Sequence, residues 1–205
     1  MKFKVHEKMV KVFEKYKEAI HKKYGFICLQ SMYYNQPNLV LYDVEKNVKE
    51  IWENKDDFDV VSFIECITIQ VKIMESMKMT FYAISMEDIY LLHYEKPIYV
   101  IMSNDIATLE DDFFTFTIPD FSHDKDEYLF YPELMRLKKI PVTFHKSVVY
   151  YSIGLIVFSF LFGCPVWKEE YYLEDIPIID YIEKIKGSKL YFFLKRCFAS
   201  ELLFV

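Results

Sequence analysis

The sequence predicts an α+β fold, mainly helical, and three observations carry the prediction. Apolar residues recur at helical spacing over 5–24 and again over 60–77. Short runs rich in β-branched and aromatic residues lie at 89–92, 98–101 and 113–116. A run of 21 uncharged residues, 147–167, is apolar nearly all round. A repeat near 3.6 residues marks a helix with one buried face, and a compact β-rich run marks a strand.

Length and composition narrow the possibilities. At 205 residues the chain is read as one domain, 1–205, large enough to bury a core without a metal or disulfide staple. A hydrophobic content of 53% with 19% aromatic residues excludes intrinsic disorder. The net charge of −6 argues against a nucleic-acid partner, which calls for a basic surface. Gly25, Gly154, Gly163 and Gly187 are scattered, so no glycine-rich phosphate cradle can be written. Cys28, Cys66, Cys164 and Cys197 lie 38, 98 and 33 residues apart, which fits no zinc or redox spacing. They read as small buried hydrophobes in a reducing compartment. The residues after Met1 lack the apolar run of a secretion signal, so an intracellular, cytoplasmic protein is expected. No cofactor and no metal are expected.

The elements follow in order. Residues 5–24 form a first helix that stops at Gly25. Segment 1–23 holds eight lysines against Glu7, Glu14 and Glu18, which suits either a solvated face, the favoured reading, or a docking face for an acidic partner or an anionic membrane. A strand pair, 26–34 and 38–44, turns through Asn35-Gln36-Pro37. After the acidic turn 56–59 comes the helix 60–77, then the three short strands. Segment 105–127 is acidic, with eight acids against Lys125. From Tyr128 onward the chain reads as helical and aromatic, ending in a helix over 190–205.

The uncharged run allows two readings. It is long enough to span a bilayer as a single pass over 147–167. It also suits a helix wholly surrounded by protein. Gly163-Cys164-Pro165 ends the helix after about 16 residues, and Ser152 and Ser159 require partners, which a packed protein supplies. The buried helix is the favoured reading.

Read in order over about 8–205, these elements resemble a protein kinase that starts at the helix of the small lobe. The strand 39–44 resembles the last small-lobe strand, with Glu45-Lys46-Asn47 as hinge. Helix 60–77 resembles the long helix before the catalytic loop. Ala83-Ile84-Ser85-Met86-Glu87-Asp88 falls where the family's loop carries its base Asp and, five residues on, its Asn. Met102-Ser103-Asn104 takes the place of D-F-G, Tyr131-Pro132-Glu133 that of A-P-E, and Tyr150-Tyr151-Ser152-Ile153-Gly154 that of the start of the buried central helix. The resemblance implies a kinase-like large lobe over 46–205 with a small-lobe remnant, 1–45, lacking the first strands. The chain is similar in this to shortened kinase-like chains of large DNA viruses.

Phosphoryl transfer of the kinase type needs a glycine-rich cover, a strand Lys, a base Asp, and an Asn and Asp for metal ions. The scattered glycines give no cover. Lys2 or Lys4 stands in for the strand Lys, on what reads as an unsupported stub. Ala83 replaces the base, Asp88 replaces the Asn, and Met102 replaces the metal-binding Asp. A shifted register offers Asp105-Ile106-Ala107 instead. Val149 stands where the central helix would brace the loop with an Asp, and 199–203 offer Glu133 no Arg partner. With no catalytic residue and no ATP binding expected, the resemblance implies a pseudokinase working as a protein-binding scaffold. The alternatives are the single-pass membrane protein and a diverged active kinase using Asp88 and Asp105.

The remaining constellations are sparse. His6, His21, His93, His123 and His145 are far apart, and His123-Asp124 and His145-Lys146 read as surface or cap residues. Glu169-Glu170 and Glu174-Asp175 read as solvated helix ends. Ser152 near Gly154 lacks the preceding glycine and the access of a nucleophile elbow.

Overall fold

The computed structural model describes residues 2–4, 7–25, 32–35, 38–41, 44–92, 97–117, 128–129, 141–166 and 178–199. The elements run β1 (Lys2–Lys4), α1 (Glu7–Tyr24), β2 (Met32–Asn35), β3 (Asn38–Leu41), β4 (Val44–Asn47), α2 (Val48–Asn54), α3 (Val60–Ser76), β5 (Met79–Phe81) and β6 (Ile84–Ser85). A 3-10 turn (Met86–Asp88) leads to β7 (Ile89–Leu92), β8 (Ile98–Ile101), β9 (Ile106–Thr108), β10 (Phe113–Phe116), β11 (Tyr128–Leu129) and β12 (Val142–His145). The last helices are α4 (Val148–Phe162), α5 (Ile178–Glu183) and α6 (Lys189–Cys197). The fold is therefore α+β. Its contacts gather into two compact units, Met1–Met79 with Met86–Ile106, and Thr80–Ser85 with Ala107–Val205.

In the first unit, α1 and α3 pack together because each carries one apolar stripe. Met9, Val12, Phe13, Tyr16 and Ile20 of α1 are at most 3% exposed, as are Phe63, Cys66, Ile67 and Met74 of α3. Burying each large apolar side chain stabilises the fold by about 1.5–3 kcal/mol. Rings of Phe58, Phe63 and Tyr99 meet at 5.1–5.3 Å and close the stripe over β8. One antiparallel sheet has the order β4-β7-β8, the other β1-β3-β2. The helix ends are capped as the sequence directs. Asn47 Oδ1 accepts from Glu50 N at 2.8 Å while Glu50 Oε2 accepts from Asn47 N at 3.2 Å. Asp59 of the acidic turn accepts from Ser62 N, starting α3.

Two expectations for the first unit are corrected. Lys2–Lys4 is no unsupported stub: it pairs antiparallel with β3, Phe3 opposite Leu39. Strand 39–44 with a hinge at 45–47 is not continuous either. The chain leaves the first sheet at Leu41, and Val44–Asn47 is itself a strand, bulged where it pairs with β7. Alternation around Lys46 is too short to register locally, so only pairing with β7 makes it a strand.

The second unit is built on α4. Val148 to Ser159 are buried except Tyr150. The helix contacts α6 and β11, and Phe158 meets the rings of Phe162, Tyr181 and Phe198 at 4.8, 5.7 and 6.4 Å. A Cβ on Gly154 would lie 2.6 Å from the Cys197 Cβ, so the glycine permits the close approach of α6. Strands β10 and β12 pair antiparallel, Phe114 opposite Phe144, and β11 pairs with β6.

The 21-residue uncharged run is helical for only 15 residues, about 22 Å, and stops at Gly163 with φ 67°. Among the described residues no helix is long and apolar enough to cross a membrane. Ser159 does not draw its partner from the surrounding protein: its hydroxyl donates to the Leu155 carbonyl of its own helix at 2.8 Å. The helical reading from Tyr128 onward is also corrected, since 128–129 and Val142–His145 are strands. The final helix spans Lys189–Cys197 rather than 190–205, Phe198 following as its C-cap; the expectation for 200–205 lies outside the described residues.

Candidate functional site

Hairpin β7–β8 is antiparallel, Ile89 opposite Ile101 and Leu92 opposite Ile98. Asp88 directly precedes its first strand and Met102 directly follows its second, so the hairpin brings the two together. Their backbones bond, Met102 N to Asp88 O at 2.7 Å. Asp88 is 8% exposed and Met102 6%. Lys49 of α2 holds the turn before β7 through Glu87 at 2.7 Å.

Beyond β8 the chain folds on itself. Asp105 N donates to Ser103 Oγ at 3.2 Å, and that hydroxyl lies 3.3 Å from Asp105 Oδ2. Ile106 N donates to the Asn104 carbonyl at 2.9 Å. Ser103 is buried and Asn104 exposed. Asp88, Met102 and Asp105 all belong to the first unit. Ala83, 1% exposed between β5 and β6, belongs to the second, as does the buried Val149 at the start of α4. Glu133 and the other residues of Tyr131-Pro132-Glu133, with Glu169-Glu170 and Glu174-Asp175, lie outside the described residues, as do Cys28, His93 and His123.

The chemistry available at these positions is limited. A buried methyl group at Ala83 accepts no proton. Mg²⁺ requires hard oxygen ligands, and the Met102 side chain presents a soft thioether. The donor set at Asp88 and Met102 therefore does not fit the metal that kinase chemistry requires. Among the described residues no group of three His, Cys, Asp or Glu side chains could hold a metal ion. His145 serves a structural purpose: its Nδ1 lies 2.7 Å from Ser147 Oγ and 3.2 Å from Ser147 N, at the entry to α4.

Three polar features escaped the sequence reading. Gln70 is fully buried, and its amide bonds both the N–H and the carbonyl of Ile101 at 2.8 Å, sealing the outer edge of β8. A polar residue on the apolar stripe Phe63, Ile67, Gln70, Met74 was the available signal. The Tyr16 hydroxyl donates to the Tyr99 carbonyl. Glu65 Oε2 accepts from Lys23 at 2.6 Å and Tyr24 at 2.8 Å. The Lys23 ammonium beside Glu65 holds that carboxyl below its usual range, whereas burial and the Glu65 bond push the Tyr24 phenol upward. Burial also raises the Cys66 thiol, and raises that of Cys197 to about 12, so both are inert core groups.

No protein-family model matches this chain, and no curated protein matches it.

Proposed function

We propose that the chain is a catalytically inactive, protein-kinase-like module that works by binding another protein. The observation that carries the reading is the joining of Asp88 and Met102 across the base of the β7–β8 hairpin. In the kinase arrangement those two places hold the metal ligands of phosphoryl transfer, and here one of them is a thioether. Support also comes from the element order: α3, β5, the 3-10 turn, the hairpin, and then the buried helix α4. Ala83 adds the loss of the base. Groups that act as a catalytic unit do not retain rate when several are removed together.

The reading is tested by incubating the whole chain with Mg²⁺ and ATP labelled on the γ-phosphate. No transfer to the chain itself or to a general protein substrate is expected. Transfer abolished by Asp105→Asn would overturn the reading in favour of a diverged phosphotransferase that uses Asp88 and Asp105.

A further inference from the structure

We propose that the outward face of α1 docks an acidic segment of another protein; the inference rests on the protein-binding reading and specifies the partner's chemistry. Helix α1 is fixed in orientation. Its inner residues are buried against the first unit, the Tyr16 hydroxyl bonds Tyr99, and Lys23 and Tyr24 bond Glu65. The opposite face therefore points outward as a preorganised surface.

On that face Lys11, Lys15 and Lys22 are exposed. At about 100° per residue they fall within a sector of about 40° and extend about 16 Å along the axis. None of the three makes a hydrogen bond or ion pair with a described residue, although the neighbouring Lys23 is paired with Glu65 at 2.6 Å. The ridge is thus a row of available cations on a chain whose net charge is −6. Such a row attracts carboxylates and steers their approach.

Exposed Glu14 and Glu18 run along the adjoining stripe and limit which anion fits. They lie within a screening length of about 8 Å of the lysines, so a broad polyanionic surface meets repulsion along with attraction. A narrow peptide with its carboxylates on the lysine side sits nearer the lysines than the glutamates and meets less of that repulsion. The two stripes thereby favour an acidic protein segment over a bilayer or a nucleic acid.

The test is fluorescence anisotropy of a fluorescein-labelled oligoglutamate peptide titrated with the whole chain at low salt. Binding is expected, weakening as salt is added. The variant Lys11→Glu/Lys15→Glu/Lys22→Glu is expected to bind about tenfold more weakly. Lys11→Gln/Lys15→Gln/Lys22→Gln should fall between, and Lys184→Glu/Lys189→Glu in the second unit should match the parent. The proposal is overturned if the parent does not bind, or if the triple glutamate variant keeps its circular dichroism and binds as tightly. It is equally overturned if phosphatidylserine vesicles or single-stranded DNA engage the same lysines more tightly than the peptide. ATP turnover does not involve these lysines, so failure here leaves the inactive-kinase reading to its own test.

Discussion

Gln70 joins α3 to β8 with two hydrogen bonds from one buried amide. Gln70→Leu retains the volume but strands the Ile101 N–H and carbonyl in the core. The expected loss is about 2–4 kcal/mol, read as a lower urea midpoint at unchanged slope. Among the described cysteines, burial separates the reactive from the protected. Cys164, half-buried, should react with a thiol reagent in the native chain, whereas Cys66 and Cys197 should react only on unfolding; mass spectrometry of the labelled peptides distinguishes them. The Glu65 contact with Lys23 and Tyr24 makes stability depend on pH at both extremes. Its carboxyl is depressed in the folded chain, so its contribution is present above the ordinary value of 4.5 and lost as pH falls through the folded value. The Tyr24 phenol is raised, so its contribution is present below the ordinary value of 10.0 and lost in stronger alkali. Glu65→Gln should flatten the acid limb of the stability profile, measured as urea midpoint against pH. An unchanged acid limb would contradict the assignment.

At the scale of elements, α4 depends on the absence of a side chain at Gly154. Gly154→Ala drives a methyl against the Cys197 Cβ and forces α6 outward, with an expected cost of about 1–3 kcal/mol in urea unfolding. Asn47→Ala removes the capping box of α2 and is expected to cost about 1 kcal/mol. Elements with a strong local pattern were legible in the sequence to within a residue or two: α3, β7, β8 and β10 all lie where their periodicity puts them. Val142-Thr143-Phe144-His145 was missed because an aromatic-rich stretch follows Tyr128, although Pro141 and the β-branched residues after it favour a strand. Val44–Asn47 was missed for another reason. Its charged centre resembles a connector, and what makes it a strand is β7, more than 40 residues away, which no local pattern reports.

For the molecule as a whole, Ile89–Leu92 and Ile98–Ile101 were legible as separate strands, whereas their antiparallel pairing as a hairpin was not read from the sequence. That pairing places the residue before the first strand beside the residue after the second. What the sequence did not reveal is the polar framework behind it, Gln70 on Ile101 and Tyr16 on Tyr99, since such bonds join residues 31 and 83 positions apart. On the proposed reading, this framework persists without a nucleotide–metal site. A ligand that binds only the folded state raises stability by about 2.7 kcal/mol at one hundred times its Kd. The most direct measurement is the thermal midpoint of the whole chain with and without millimolar Mg-ATP. An unchanged midpoint is predicted; a rise of several degrees that disappears when the Mg²⁺ is chelated would contradict the account.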